Sequence, residues 1–233
     1  MKILEILKQA RQEKQKLLAI LLDPDKVSLV DIPQTIAKIE KLKADFIFVG
    51  GSLLFTDGLD VLVLKIKETS EIPVILFPGS ATQISKHADG ILFLNLISGR
   101  NPEYLISNHI IAAPLLRQTQ LEVLSTSYLL VESGRETTAS YISNTKPIPR
   151  HKPEIAYATA LAGFYIGHKL IYLDGGSGAL ETVPKTMIAQ IAQNIDLPLI
   201  VGGGIRSKAQ IDQAYANGAN LVVIGTAFED GEF

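Results

Sequence analysis

Apolar residues in this chain fall into short runs at near-regular intervals, and helical spacing fills the stretches between them. Residues 17–22 form the first run, Leu-Leu-Ala-Ile-Leu-Leu, with no polar position in it. A strand open to water on one face would alternate; a run like this fits a parallel strand covered on both faces. Residues 46–49, 74–77, 90–94, 121–131, 169–174, 198–201 and 221–225 repeat the pattern, so eight strands are predicted. Ile3, Leu4, Leu7 and Ala10 recur at helical spacing and predict an amphipathic helix over 2–15. Further helices are expected over 32–43 and 58–69, from about 82, from Asn101-Pro102 to about 117, from Pro153 to about 167, and over 184–194 and 208–217. Asn101 suits an N-cap, and Pro102 the first helical position.

Eight strands alternating with helices favour a closed (β/α)8 TIM barrel over an open doubly wound sheet. No shift in composition marks a boundary, so residues 1–233 read as a single domain. Only eight residues follow Gly225, which leaves the last helix stunted or missing. The N-terminal helix or a neighbouring subunit is expected to cover that gap. One connection is long and polar: residues 132–152 carry Arg135, Tyr141, Lys146, Arg150 and Lys152, with Pro147 and Pro149. A structureless loop of this length is typically a lid over a site.

Composition narrows the chemistry. The chain has no cysteine, which excludes disulfides, thiolate metal sites and cysteine nucleophiles. A net charge of −2 gives no field for nucleic acid. No signal-peptide core and no membrane-length apolar run is present, so a cytoplasmic protein is expected. The four histidines, at 87, 109, 151 and 168, have neither metal-ligand nor triad spacing.

In a parallel barrel the C-terminal strand ends share one rim. That rim should collect Asp23, Asp25, Ser52, Ser80, Asn95, Asp174, Ser177, Gly203, Gly204 and Thr226. Three consecutive strands end in glycine-rich turns: Tyr172-Leu173-Asp174-Gly175-Gly176-Ser177-Gly178, then Gly202-Gly203-Gly204, then Gly225-Thr226. Backbone N–H groups brought close by glycine suit a phosphate dianion. From the residues alone, the chain is a phosphate-binding barrel with an acidic rim suited to a metal ion.

Leu22-Asp23-Pro24-Asp25-Lys26, Val49-Gly50-Gly51-Ser52, Phe77-Pro78-Gly79-Ser80 and the three glycine turns occur in this order along the whole chain. Together they resemble the geranylgeranylglyceryl phosphate synthase family, which also includes bacterial heptaprenylglyceryl phosphate synthases. Asn95 to Arg100 and Arg135 to Pro149 resemble the second group of that family. The resemblance implies a prenyltransferase that joins sn-glycerol 1-phosphate to geranylgeranyl diphosphate, giving an ether lipid precursor. It implies Mg²⁺ on Asp23 and Ser52, and glycerol phosphate on Tyr172 to Gly178, Gly203, Gly204, Gly225 and Thr226. Asp174 is the candidate base, although many relatives carry Glu there; lid cations would stabilise the leaving diphosphate. The resemblance further implies a homo-oligomer, hexamer or dimer. Two alternatives stand beside it: another phosphate-binding TIM-barrel enzyme, and a catalytically silent barrel that binds prenyl lipids.

Overall fold

The computed structural model describes residues 2–233. Its strands are β1 (Leu17–Leu22), β2 (Phe46–Val49), β3 (Val74–Leu76), β4 (Gly90–Asn95), β5 (Glu122–Leu130), β6 (Leu170–Asp174), β7 (Leu199–Gly202) and β8 (Leu221–Ile224). Each pairs in parallel with its sequence neighbour, and β8 pairs with β1 to close the barrel. The two-residue period of each strand sorts its side chains into two cores. Phe46, Phe48, Leu124, Tyr128, Leu170 and Tyr172 point into the barrel. Ile20, Leu22, Ile47, Val49, Ile171 and Leu173 point outward, under the helices. This explains why the strands are apolar on both faces along most of their length, with β5 the most polar through Glu122, Ser125, Thr126 and Ser127.

The helices are α1 (Ile3–Glu13), α2 (Ile32–Lys41), α3 (Leu59–Thr69), α4 (Asn108–Leu116), α5 (Thr138–Ser143), α6 (Pro153–Tyr165), α7 (Lys185–Asn194), α8 (Lys208–Ala216) and α9 (Thr226–Glu229). The last of these has four residues, a stunted helix as expected. Its cover comes from its own end of the chain: Ala227 and Phe228 are buried in the outer core, and Phe233 packs against it. The expectation that the N-terminal helix fills this gap is therefore corrected. Ile3, Leu7 and Ala10 instead join the core inside the barrel. The N–H groups of Ile3 and Leu4 donate to the Glu122 carboxylate at 2.6 and 3.0 Å, at the start of β5. Arg11 donates to the carbonyls of Ala192 and Ile195, ahead of β7. Both anchors lie at the N-terminal ends of strands, so α1 is the floor of the barrel.

Two other expectations change. No helix joins β3 to β4; residues 77–89 run as turns. Here side chains take bonds that a helix would give to its backbone: Gly79 N–H donates to Gln83 Oε1 at 2.8 Å, and Ser85 Oγ donates to Asp60 at 2.6 Å. The segment 132–152 is not structureless either. It contains α5, started by a Thr137/Ser140 capping box, and a parallel bridge between Val131 and Ile148. Arg150 fastens it, donating to the carbonyls of Glu132 and Thr182 and pairing with Glu181 at 2.9 Å. The helix predicted from Asn101 starts as a π-helical turn, Glu103–Ser107, with Asn101 Oδ1 accepting the Glu103 N–H at 3.0 Å.

Candidate active site

A cavity of about 390 Å³ opens at the C-terminal rim. Asp23, Ser52, Tyr172, Asp174, Gly176, Ser177, Gly178, Gly203, Gly204, Gly225 and Thr226 all line it. Leu173 and Gly175, which share the same motif, do not. Strand alternation turns Leu173 into the outer core, and the Gly175 N–H is paired with the Gly202 carbonyl at 3.1 Å.

The glycines are required by the backbone path. Gly203 and Gly204 both have positive φ, 84° and 72°. A Cβ on Gly203 would lie 2.5 Å from the Gly175 nitrogen and 2.6 Å from Asp174 Oδ1. Ser177, Gly178, Gly203, Gly204, Gly225 and Thr226 have N–H groups with no acceptor among the described residues. Such a set of donors facing one cavity is a cradle for an anion.

Asp174 sits at the centre of this wall, 5% exposed. Its Oδ2 accepts the Tyr128 O–H at 2.7 Å and its Oδ1 accepts the Gly176 N–H at 2.8 Å. Burial pushes its carboxyl above the usual range, and these two bonds partly oppose the shift. Burial first, then the charge of Asp174, drive the phenols of Tyr128 and Tyr172 well up, so both stay protonated. Phe77 stacks on Tyr172 at 5.3 Å and meets Tyr128 edge-on at 6.0 Å, which fixes all three rings.

On the opposite wall, Asp23 and Asp25 separate in role. Both Asp25 oxygens are taken, by Thr56 Oγ1 and by the N–H groups of Phe55 and Thr56, and these bonds lower its pKa. Asp25 thus pins the β2–α3 loop. Asp23 Oδ1 accepts the Asp25 N–H at 3.0 Å, whereas Oδ2 accepts no hydrogen bond among the described residues and faces Gly51. A hard cation such as Mg²⁺ takes one or two carboxylates and completes its shell with water and phosphate oxygens. A carboxylate oxygen that accepts no hydrogen bond, in a cavity that Ser52 also lines, fits that donor set. Lys26 lies 3.9 Å from Asp23 Oδ2 and 2.8 Å from Glu229. Desolvation acts to lower its pKa, but the Glu229 pairing outweighs this and the net shift is upward.

Beside the polar cavity runs an apolar groove of about 120 Å³, between the β3–β4 segment and α4. Ala81, Ile84, Ile91, Phe93, Ala112 and Leu116 line it. Gly51, Ser52, Phe77 and Tyr128 line both spaces, so the two are continuous. His109 in the groove sets Nε2 against the Leu94 carbonyl at 2.8 Å; burial lowers its pKa and keeps it neutral.

Of the rim residues expected from sequence, Ser80 lines the groove, and Asn95 uses its amide to hold the Leu105 carbonyl. The supposed lid cations do not line the cavity; Thr138 alone represents that segment there. Tyr128 and Glu229 lie outside the residues expected from sequence, and Phe77 was expected only as the start of the Phe77–Ser80 motif. Tyr128 was findable: it pairs in register with Tyr172, so it shares the inward parity of Asp174.

A closed parallel barrel with a glycine cradle over its last three strands defines a phosphate-binding TIM-barrel enzyme, here with an alkyl-sized groove attached. The chain belongs to the PcrB family, whose model matches residues 8–232. It is 50% identical over 222 residues to a geranylgeranylglyceryl phosphate synthase of Flavobacterium johnsoniae, covering 95% of this chain and 91% of that one. A synthase of the same name from Thermococcus gammatolerans is 46% identical, with 93% and 86% covered. Among solved structures, (S)-3-O-geranylgeranylglyceryl phosphate synthase from Thermoplasma acidophilum, in complex with its substrate sn-glycerol-1-phosphate, superposes with a TM-score of 0.93. That match is at 31% identity and covers 98% of this chain and 92% of the other.

Proposed function

We propose that this chain, acting as one domain over residues 1–233, is a prenyltransferase. It joins sn-glycerol 1-phosphate to geranylgeranyl diphosphate, giving 3-O-geranylgeranylglyceryl phosphate and diphosphate. The observation that carries this reading is the continuity of the two spaces. A polar cavity for two anions shares Gly51, Ser52, Phe77 and Tyr128 with a groove suited to an alkyl chain. An isomerase or epimerase of small sugar phosphates has no use for that groove.

The glycerol phosphate rests on the free N–H groups of the 177–178, 203–204 and 225–226 turns. Its 3-hydroxyl points toward Asp174. The hydroxyl oxygen attacks the allylic carbon, the carbon–oxygen bond to diphosphate breaks, and its electron pair leaves with the diphosphate. The hydroxyl proton passes to the Asp174 carboxylate, whose raised pKa makes it a stronger base. Tyr128 and the Gly176 N–H hold that carboxylate in place, and the stacked rings of Phe77 and Tyr172 keep water from the allylic carbon. Mg²⁺, when bound, supplies positive charge to the departing diphosphate, and Asp23 and Ser52 are the residues that would hold it. Burying each CH₂ contributes roughly 0.8 kcal/mol, so every tail carbon that enters the groove adds to donor affinity.

Among the described residues no helix is long and apolar enough to cross a membrane. We place the enzyme in the cytoplasm, as a homo-oligomer. Ile106, Ile110, Ile111 and Leu115 are exposed along one stretch of the π-helical turn and α4, and they suit contact with a second copy. Light scattering distinguishes dimer from hexamer. The reaction is tested by radiolabel transfer from C15, C20 and C35 diphosphates to sn-glycerol 1-phosphate, with sn-glycerol 3-phosphate as stereochemical control. Product that peaks with the C20 donor and vanishes in EDTA supports the proposal; no transfer from any donor refutes it.

A further inference from the structure

The rim carries four arginines, and three have their guanidinium groups engaged by the protein. Arg100 donates to the carbonyl of Gly99 at 2.6 Å. Arg150 holds Glu132, Thr182 and Glu181. Arg206 pairs with Glu232 at 3.2 Å. Arg135 has neither an ion pair nor a hydrogen bond among the described residues. It is nonetheless held in a defined place. The preceding Ser133 carbonyl accepts the N–H groups of Leu180 and Glu181, both at 3.1 Å, so the chain before Arg135 runs beside the β6–α7 turn. Two residues later, Thr137 packs on Gly176 so closely that a Cβ there would lie 2.7 Å from its Oγ1. Between these anchors the Arg135 guanidinium lies against Gly178, and a Cβ at that position would collide with Nη2.

Gly178 and Ser177 are the turn residues whose N–H groups lack acceptors and which line the polar cavity. An uncommitted planar cation therefore sits at the edge of an array of uncommitted donors. Guanidinium groups pair bidentately with phosphate oxygens, adding charge and geometry that backbone donors lack. We propose that Arg135 is a phosphate-binding residue, donating to the phosphomonoester that rests on the Ser177–Gly178 turn. This rests on the prenyltransferase reading for the identity of that ester, and it assigns Arg135 to the acceptor's phosphate rather than to the diphosphate. It also gives the β5–α6 segment a role: it brings this one cation to the cradle.

The test uses the full chain with Arg135→Gln and Arg135→Lys. Calorimetric titration with sn-glycerol 1-phosphate, and separately with inorganic phosphate, should show binding weakened about tenfold or more in the Gln variant and less in the Lys variant. KM for glycerol phosphate should rise in parallel, with kcat within about threefold and KM for geranylgeranyl diphosphate unchanged. The melting temperature should hold, because Arg135 makes no hydrogen bond or ion pair among the described residues. Three results overturn the proposal: unchanged phosphate affinity in the Gln variant, an effect on the diphosphate KM instead, or loss of folding. A wild-type chain that binds both phosphates but transfers no prenyl group would refute the reaction while leaving Arg135 an anion ligand.

Discussion

In the proposed reaction the chemistry turns on Asp174, and the partner that holds it is Tyr128. Asp174→Asn removes the proton acceptor with little change in shape. Turnover is expected to fall by about 10²- to 10⁴-fold while glycerol phosphate still binds; wild-type turnover would dismiss Asp174 as the base. Tyr128→Phe tests the same group through pH. The phenol bond lowers the Asp174 pKa against the upward pull of burial, so its loss lets that pKa rise further. The base works only when ionised, so the acid limb of the kcat profile should move to higher pH. A profile that does not move would separate Tyr128 from the titrating group. Gly203→Ala is the stability counterpart. With φ at 84° and a Cβ aimed at Gly175 and Asp174, it should cost about 2 kcal/mol or more in urea unfolding and weaken phosphate binding together.

Among the elements, α1 and the β3–β4 segment have the clearest consequences. Leu7 is 1% exposed inside the barrel floor, so Leu7→Ala should cost about 2–4 kcal/mol in denaturant unfolding. Both KM values should be spared, because the floor lies at the opposite end of the strands from the site. The groove is walled by the irregular β3–β4 segment and by Ala112 on α4. Ala112→Phe should shift the preferred donor from C20 to C15 without changing the KM for glycerol phosphate, read by competing the two donors in one assay.

Strands were legible in sequence because most are apolar on both faces, β5 with its Ser125-Thr126-Ser127 being the exception, and the glycine turns because few other purposes bring three of them to successive strand ends. Side-chain competition was less legible. Gln83 and Ser85 have ordinary helix spacing, and only their bonds to Gly79 N–H and Asp60 reveal why no helix forms. The long segment looked structureless because its order comes from contacts far along the chain, such as Arg150 with Thr182. Asp23 and Asp25 looked equivalent until Thr56 and Phe55 took one of them.

At the scale of the whole molecule, the barrel divides its side chains between two cores. Its interior is closed below by α1 and above by Phe77, Tyr128 and Tyr172, and the apolar groove reaches its upper edge at Leu92, Leu96 and Tyr128. From there it runs outward past Ile91 and Phe93 to α4, where β3 and β4 are joined by turns instead of a helix. On the proposed reading, the groove's outer residues on α4 and in the β3–β4 turns can be exchanged while barrel closure and the anion cradle stay as they are. A fold divided in this way can change the tail of its product from one lipid to the next while keeping the handedness of its headgroup.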